Sequence, residues 1–125
     1  GSGTPLREFL FLEDFAEACL HCLRYWSPNI DNSPLDQNGL PLNWLNVGCN
    51  YEISIEELAE KISKKIGFKG DIIWDNTKPD GTPRKKLDTF YMQKLGWEAK
   101  TDIDIGLEKT IKSFKKELEI NQLRT

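Results

Sequence analysis

Short apolar runs alternate with amphipathic helical stretches along this chain. Residues 8–12, 44–48 and 71–74 are three such runs, and each precedes a stretch with helical spacing or a polar turn. Runs this short are typical of buried strands. Their alternation with helices favours an α/β fold with a few short, mostly parallel strands and about four helices.

The second helix has the strongest sequence signal. Ser54 and Glu57 stand in the spacing of a capping box, in which each side chain bonds the backbone of the other residue. Gly67 follows the last apolar position and suits a left-handed helix end. The predicted apolar face consists of Ile55, Leu58, Ala59, Ile62 and Ile66.

Three further helices are predicted from caps and spacing. The first begins with Asp14 as its N-cap and ends before Pro28. A short helix over residues 88–95 stops at Gly96, and Asp102 begins the last helix. The apolar face predicted for the first helix is Phe15, Ala18, Cys19, Cys22, Leu23 and Trp26. The face predicted for the last is Ile103, Leu107, Ile111, Phe114 and Leu118.

The 125 residues suit one domain, residues 1–125, with one modest core. Residues 27–43 contain three Pro and four Asn with no apolar period, which predicts a long surface loop. The tail after Glu119 is expected to fray. Parallel strands are normally covered on both faces, so three short strands predict a partner domain outside this sequence.

Charge and apolar content exclude several classes of function. The formal net charge of −3 gives no general attraction to nucleic acid or anionic lipid. No apolar run approaches the roughly 18 residues that span a bilayer, and residues 1–4 do not resemble a signal peptide. The odd count of three Cys predicts free thiols. We therefore expect a cytoplasmic protein with neither a membrane nor a nucleic-acid partner.

Residues 78–86 carry four cations within nine positions, together with two Pro and one Gly. A stiff backbone with clustered cations can position an anion such as a diphosphate. Arg7 stands where the flexible start of the chain meets the first apolar run. A solvated basic turn explains the same composition, so both interpretations remain open.

Several residues with chemical potential are not assigned a site. Cys19 and Cys22 share the predicted apolar face of the first helix and lack a fourth ligand, so core packing is expected instead of zinc. His21 has no partner grouping that would make it a catalytic base. Gly1 and Gly3 follow no strand and begin no helix, so they do not form a dinucleotide fingerprint. No catalytic residue, metal ligand or cofactor ligand is predicted here.

Four segments together resemble the carboxy-terminal part of the GDP-L-fucose synthase family. They are residues 1–9, with Gly-Ser-Gly-Thr-Pro-Leu-Arg-Glu-Phe, 46–48, with Asn-Val-Gly, 53–59, with Ile-Ser-Ile-Glu-Glu-Leu-Ala, and 78–85, with Lys-Pro-Asp-Gly-Thr-Pro-Arg-Lys. The shorter motifs are similar across many extended short-chain dehydrogenases/reductases, whereas the last is much more specific.

The resemblance implies an enzyme that epimerises GDP-4-keto-6-deoxy-D-mannose at C3 and C5 and reduces its C4 ketone with NADPH. It implies that NADP(H) and the catalytic residues belong to an amino-terminal Rossmann domain absent from this sequence. The fragment alone is then inactive and binds no cofactor, and the complete enzyme is a homodimer. Arg7 and Lys85 are expected on the diphosphate of the GDP-linked keto-deoxy sugar, with Asp80 among the binding residues.

The sequence departs from the family pattern at three places. Residues 11–14 read Phe-Leu-Glu-Asp where the family usually has His-Val-Asp-Asp, Cys49 and Asn50 stand where Thr and Gly are usual, and Ile105 replaces an acidic residue. Two alternatives remain open. One is the substrate domain of another sugar-nucleotide epimerase or reductase, and the other is a free-standing module that binds RNA or a protein.

Overall fold

The computed structural model describes residues 1–31 and 33–120. The described part has four helices and a three-stranded sheet in which β1 (Leu6–Glu8) lies between β2 (Glu52–Ser54) and β3 (Arg84–Lys85), which confirms the predicted α/β class. Residues 121–125, for which fraying was predicted, lie outside the described residues. The elements are β1 Leu6–Glu8, α1 Leu12–Tyr25, β2 Glu52–Ser54, α2 Ile55–Ile66, β3 Arg84–Lys85, α3 Phe90–Lys94 and α4 Ile103–Glu119.

The three strands were predicted in the wrong places. The run 8–12 overlaps β1 only at Glu8, and Leu12 already belongs to α1. The runs 44–48 and 71–74 contain no strand. A strand exists only where a partner pairs with it, and the observed strands have three residues or fewer, too short to show an alternating pattern. Within 44–48, Leu45 and Val47 are apolar because they pack against a core.

The helix ends show where capping signals succeed and where they fail. As predicted, α2 begins at the Ser54 capping box and ends at the left-handed Gly67. Asp102 caps the start of α4, as predicted, by accepting from Asp104 N at 2.8 Å. The α1 prediction was wrong at its start, because the N-cap is Phe11 and its side chain makes no capping bond. Asp14 lies inside the first turn, is buried, and accepts from Lys100 N at 3.2 Å.

The contacts within the chain divide it into two compact units. The first comprises residues 1–7, 53–84 and 101–125, and the second comprises 8–52 and 85–100. In the first unit α2 packs against α4. Lys61 bonds Asp104 at 2.7 Å, and Lys65 bonds Glu108 at 2.8 Å and Asp104 at 3.4 Å. These ion pairs join the two helices along a partly buried edge.

The second unit has a small core under α1. Ala18 and Met92 are fully buried and Trp97 is 5% exposed, with Cys22, Leu45 and Val47 among the residues that pack around them. The loop 27–43 is confirmed as lacking helix or strand in its described residues. It contains one isolated bridge between Leu35 and Pro41.

Each end helix buries only part of its predicted apolar face. On α1, Phe15 is 48% and Leu23 82% exposed, and on α4, Phe114 is 54% and Leu118 52% exposed. No helix among residues 1–31 and 33–120 is both long enough and apolar enough to cross a membrane.

Candidate functional site

A cavity of about 320 Å³ lies within the first unit, near the lower end of the size range of small-molecule sites. The start of the chain, the first residue of α2 and the turn before β3 form its wall. Its lining residues are Gly1, Gly3, Pro5, Arg7, Ile55, Trp74, Asp75, Pro79, Asp80 and Gly81. Two of the three predicted binding residues, Arg7 and Asp80, therefore meet at one cavity.

Arg7 supplies the cation of this cavity. Its Nη1 donates to the carbonyl oxygen of Leu6 at 2.6 Å, which fixes one edge of the half-buried guanidinium. Across residues 1–31 and 33–120, no carboxylate pairs with Arg7 at ion-pair distance. A guanidinium without a counter-ion beside a cavity is suited to accept an anion from outside the chain.

Asp80 is bound to the start of the chain by both of its oxygens. Oδ1 accepts from Ser2 N at 2.7 Å and Oδ2 accepts from Ser2 Oγ at 2.6 Å. The hydroxyl bond, followed by the backbone bond, holds the pKa of Asp80 below its ordinary value. The carboxylate is therefore charged at neutral pH and already engaged.

Gly3 lies where no other residue fits without strain. Its φ is +82°, which is costly for any residue with a Cβ. A Cβ there would also lie 2.9 Å from the Trp74 ring and 3.0 Å from Glu56 Cβ. Gly3 therefore lets the backbone pass directly against the indole that forms one wall of the cavity.

The turn that carries Asp80 is braced at several points. Leu6 N donates to the carbonyl of Pro83 at 2.8 Å. Asp75 Oδ1 accepts from Thr77 Oγ1 at 2.5 Å and from Thr77 N at 3.0 Å, and these bonds, the hydroxyl bond first, lower the pKa of Asp75. Together with two Pro, these bonds fix the turn before any ligand arrives.

The amino terminus of α2 borders the cavity but has no donor left for an anion in its first turn. Ile55 N donates to Pro5 O at 3.2 Å and Glu56 N to Gly3 O at 2.9 Å. Glu57 N donates to Ser54 Oγ at 3.0 Å. Anion binding by free helix amides is thereby excluded here, and Arg7 remains the positive side chain at the cavity.

Lys85 lies in β3 and belongs to the second unit, where its side chain is exposed. It is not among the residues that line the cavity in the described part of the first unit. The sequence grouped Lys85 with Arg7 and Asp80 by motif, and the cavity itself brings together only Arg7 and Asp80.

Sequence reasoning missed a polar junction in the second unit. Glu8 Oε1 accepts from Asn50 N at 2.7 Å, and Oε2 accepts from Leu87 N at 3.1 Å. Gly48 is buried against this carboxylate, since a Cβ there would lie 2.6 Å from Oε1. The Arg-Glu-Phe and Asn-Val-Gly motifs therefore interlock through Glu8 and Gly48.

Asn50 explains one departure from the family pattern. Its φ is +60°, in the left-handed region where glycine is easiest and asparagine is tolerated. Its side chain also accepts from Thr89 Oγ1 at 2.9 Å, and Thr89 is only 4% exposed. Asparagine thus keeps the backbone shape that glycine would give and adds one bond.

The residues that were not assigned a site have structural surroundings. Cys22 packs on the core with its Sγ 3.5 Å from Met92 Sδ, and burial raises the pKa of its thiol. Cys19 was predicted in the core, but it is exposed. His21 Nε2 bonds the carbonyl of Leu95 at 2.8 Å. Among the described residues no group of three His, Cys, Asp or Glu could hold a metal ion.

The position of Gly3 differs from that of a glycine in a dinucleotide-binding turn. Gly3 lies before β1, and its carbonyl caps α2. A glycine-rich turn that binds a dinucleotide instead joins a strand directly to the helix that follows it.

No protein-family model matches the chain. Individual relatives do. The GDP-L-fucose synthase of Sinorhizobium fredii is 41% identical over 114 residues, which are 91% of this chain and 32% of that protein. The GDP-L-fucose synthase of Escherichia coli is 40% identical over 118 residues, 91% of this chain and 34% of that protein.

A solved structure agrees with these relatives in fold. The GDP-L-fucose synthetase of Naegleria fowleri bound to NADP superimposes with a TM-score of 0.76 at 24% identity, over 98% of this chain and 35% of that one. The chain thus spans about a third of the length of the proteins it matches. It corresponds to the carboxy-terminal part of the GDP-L-fucose synthase family.

Proposed function

We propose that residues 1–125 form the substrate-gripping, carboxy-terminal domain of an enzyme that converts GDP-4-keto-6-deoxy-D-mannose to GDP-L-fucose. The conversion combines epimerisation at C3 and C5 with reduction of the C4 ketone by NADPH. The observation that carries the proposal is the unpaired Arg7 guanidinium in a cavity built from two family-like segments, 1–9 and 78–85.

Arg7 has the chemistry to bind the diphosphate of the GDP moiety. A guanidinium can fork onto two phosphate oxygens, and a shielded charge-assisted bond contributes about 1.5–3 kcal/mol. Lys85 is proposed as a second phosphate contact on the strength of the Lys-Pro-Asp-Gly-Thr-Pro-Arg-Lys motif alone. Asp80 belongs to the same binding loop.

Grip of this kind contributes to the rate as well as to affinity. Contacts with the remote GDP moiety hold the keto-sugar in place and reduce the entropy cost of reaction. The catalytic residues and the NADP(H) site belong, in this proposal, to the amino-terminal part of the enzyme. The 125-residue segment alone is then inactive, and the complete enzyme is a cytoplasmic homodimer that requires no metal.

The proposal is tested by calorimetric titration of the complete enzyme with GDP and, separately, with NADPH. Arg7→Ala and Lys85→Ala are each expected to weaken GDP binding by about 10–100-fold, the equivalent of one charge-assisted bond. Binding of NADPH is expected to remain unchanged. Lys69→Ala and Lys86→Ala are the matched controls, since each removes one exposed cation outside the proposed contacts.

Full GDP affinity in Arg7→Ala would contradict the proposal, because it would exclude the diphosphate contact. Equal loss of GDP and NADPH affinity would instead indicate that the variant is misfolded. Titration of the parent enzyme with GDP, UDP and dTDP tests the base. A clear preference for UDP or dTDP would assign the chain to another sugar-nucleotide enzyme.

A further inference from the structure

Asp80 has no oxygen without a hydrogen bond. Ser2 N and Ser2 Oγ occupy Oδ1 and Oδ2 at 2.7 and 2.6 Å. The serine hydroxyl is in turn shared with Thr4, whose Oγ1 lies 2.7 Å away and whose N donates to it at 3.1 Å. The carboxylate thus organises the start of the chain through a local hydrogen-bond network.

The charge of Asp80 also argues against a direct contact with a diphosphate. Two anions at contact distance repel each other, and the repulsion grows where water is excluded. Asp75 and Asp80 line the same cavity as Arg7, so the cavity holds one guanidinium for the ligand and two carboxylates whose partners come from the protein. A carboxylate in that setting is better suited to shape a site than to bind phosphate.

The Ser2–Asp80 contact closes one end of a frame around the cavity. Leu6 N and Pro83 O close the other end at 2.8 Å. Arg7 follows directly after Leu6, and a Cβ added at Gly81 would lie 3.5 Å from Arg7 Nη2. Loss of the Ser2–Asp80 contact would therefore release the part of the turn that passes beside the Arg7 guanidinium.

We propose that Asp80 is a positioning residue that acts through Ser2, and that this pair, the Ser2–Asp80 latch, preorganises the nucleotide-sugar cavity without contacting the ligand. The inference rests on the proposed function, because it concerns the same cavity and the same substrate. It assigns Asp80 a role other than that of a binding residue. When the cavity wall is already fixed, ligand binding does not lose free energy in ordering residues 1–4 and 79–81.

A double-mutant cycle in the complete enzyme tests the latch, with GDP as the probe in calorimetry. Asp80→Ala is expected to weaken GDP binding about 10-fold and Ser2→Ala about 3-fold, because Ser2→Ala keeps the backbone bond. In the double variant, Ser2→Ala is expected to add less than about 2-fold, since its partner is already gone. Asp80→Asn is expected to recover most of the affinity, because an amide can still accept from Ser2 N. NADPH affinity should stay constant throughout.

Additive losses in the cycle would overturn the latch, as would a silent Ser2→Ala combined with equal loss in Asp80→Asn and Asp80→Ala. The second pattern would show that the charge of Asp80 meets the ligand directly. Arg7→Ala separates this result from the proposed function: full GDP affinity there refutes the diphosphate grip, whatever the cycle shows.

A readout without nucleotide keeps the latch testable if GDP does not bind. Amide hydrogen exchange of residues 1–4 and 79–81, followed by mass spectrometry, should rise in Asp80→Ala and, to a smaller degree, in Ser2→Ala. Unchanged exchange in both variants would overturn the latch.

Discussion

Two carboxylates each join segments that are far apart in the sequence, but their surroundings differ. Glu8, in the second unit, accepts from the backbone nitrogens of Asn50 and Leu87 and is half-buried. Asp80, in the first unit, is exposed beside the cavity and accepts from Ser2 alone. We expect a half-buried carboxylate with backbone partners to stabilise the fold, whereas the exposed one, which fixes a cavity wall, is proposed to serve binding.

Gly48, which lies against Glu8, and Gly81, which follows Asp80, also differ in burial. Gly48 is buried, and a Cβ there would lie within 2.6–2.8 Å of all three carboxyl atoms of Glu8. Gly81, next to Asp80, is exposed, and its nearest neighbour for a Cβ is Arg7 at an ordinary 3.5 Å. The Glu8 carboxylate leaves no room for a methyl group at Gly48, whereas the turn that carries Asp80 leaves room for one at Gly81.

Gly48→Ala is therefore expected to have the largest effect on stability. The added methyl group must displace the half-buried Glu8 carboxylate and break its bonds to the backbone N–H groups of Asn50 and Leu87. We expect a loss of about 3 kcal/mol in the free energy of unfolding. Denaturant unfolding of the complete enzyme, followed by the circular dichroism of its helices, measures it.

The matched control is Gly81→Ala, which should change stability by less than about 0.5 kcal/mol because only an ordinary contact is added. Gly48→Ala should also cost much less in a Glu8→Ala background, since the displaced group is absent. Equal losses of unfolding free energy in Gly48→Ala and Gly81→Ala would show that the two sites do not differ in packing.

Local signals were sufficient for α2 and for the start of α4, but not for the start of α1 or for the strands. The Ser54 capping box, Gly67 and Asp102 act within a few residues, so the sequence predicted α2 and the start of α4 correctly. The segment 71–74 has the apolar residues of a strand, yet it pairs with nothing as a strand. Strand pairing depends on segments distant in the sequence, and a single sequence does not reveal them.

The candidate site was predicted in part for the same reason. Clustered cations identified the turn that forms one wall, and Arg7 came from the resemblance. The contact of Ser2 with Asp80 spans 78 positions and that of Glu8 with Asn50 spans 42, so neither has a local signature. Asn50 offered one hint, because it replaces a usual glycine and asparagine tolerates positive φ.

Glu8→Gln is expected to have the second-largest effect on the free energy of unfolding. An amide keeps one acceptor oxygen and offers an N–H group where the second acceptor is needed, so one of the two bonds is lost. The expected cost is about 1–2 kcal/mol of unfolding free energy, with GDP affinity of the folded enzyme unchanged. A fall in GDP affinity without a fall in stability would give Glu8 the role proposed for Asp80.

Asp80→Ala should have a smaller effect on stability than either change at the Glu8 site. The Ser2–Asp80 pair is exposed, and water replaces its bonds when one partner is removed. We expect almost no change in the midpoint of denaturant unfolding. A loss as large as that of Glu8→Gln would show that the latch supports the fold itself.

The smallest expected effect is a shift in one titration. The bond from Ser2 Oγ, and then that from Ser2 N, places the pKa of Asp80 below its ordinary 3.8 in the folded chain. Because the pKa of Asp80 is lowered in the folded state, the Ser2–Asp80 latch stabilises the folded chain at pH values above the unfolded-state pKa. This stabilisation is lost as the pH falls through the folded-state pKa. In Ser2→Ala the largest cause is gone, so the pKa of Asp80 should rise towards 3.8. Carboxyl carbon NMR of the 125-residue chain measures it, with Asp36, whose pKa is lowered by Leu40 and Asn38, as the unaffected control. An unchanged Asp80 midpoint would mean that the serine hydroxyl does not hold the carboxylate, and the contrast with Glu8 would then rest on the backbone bond alone.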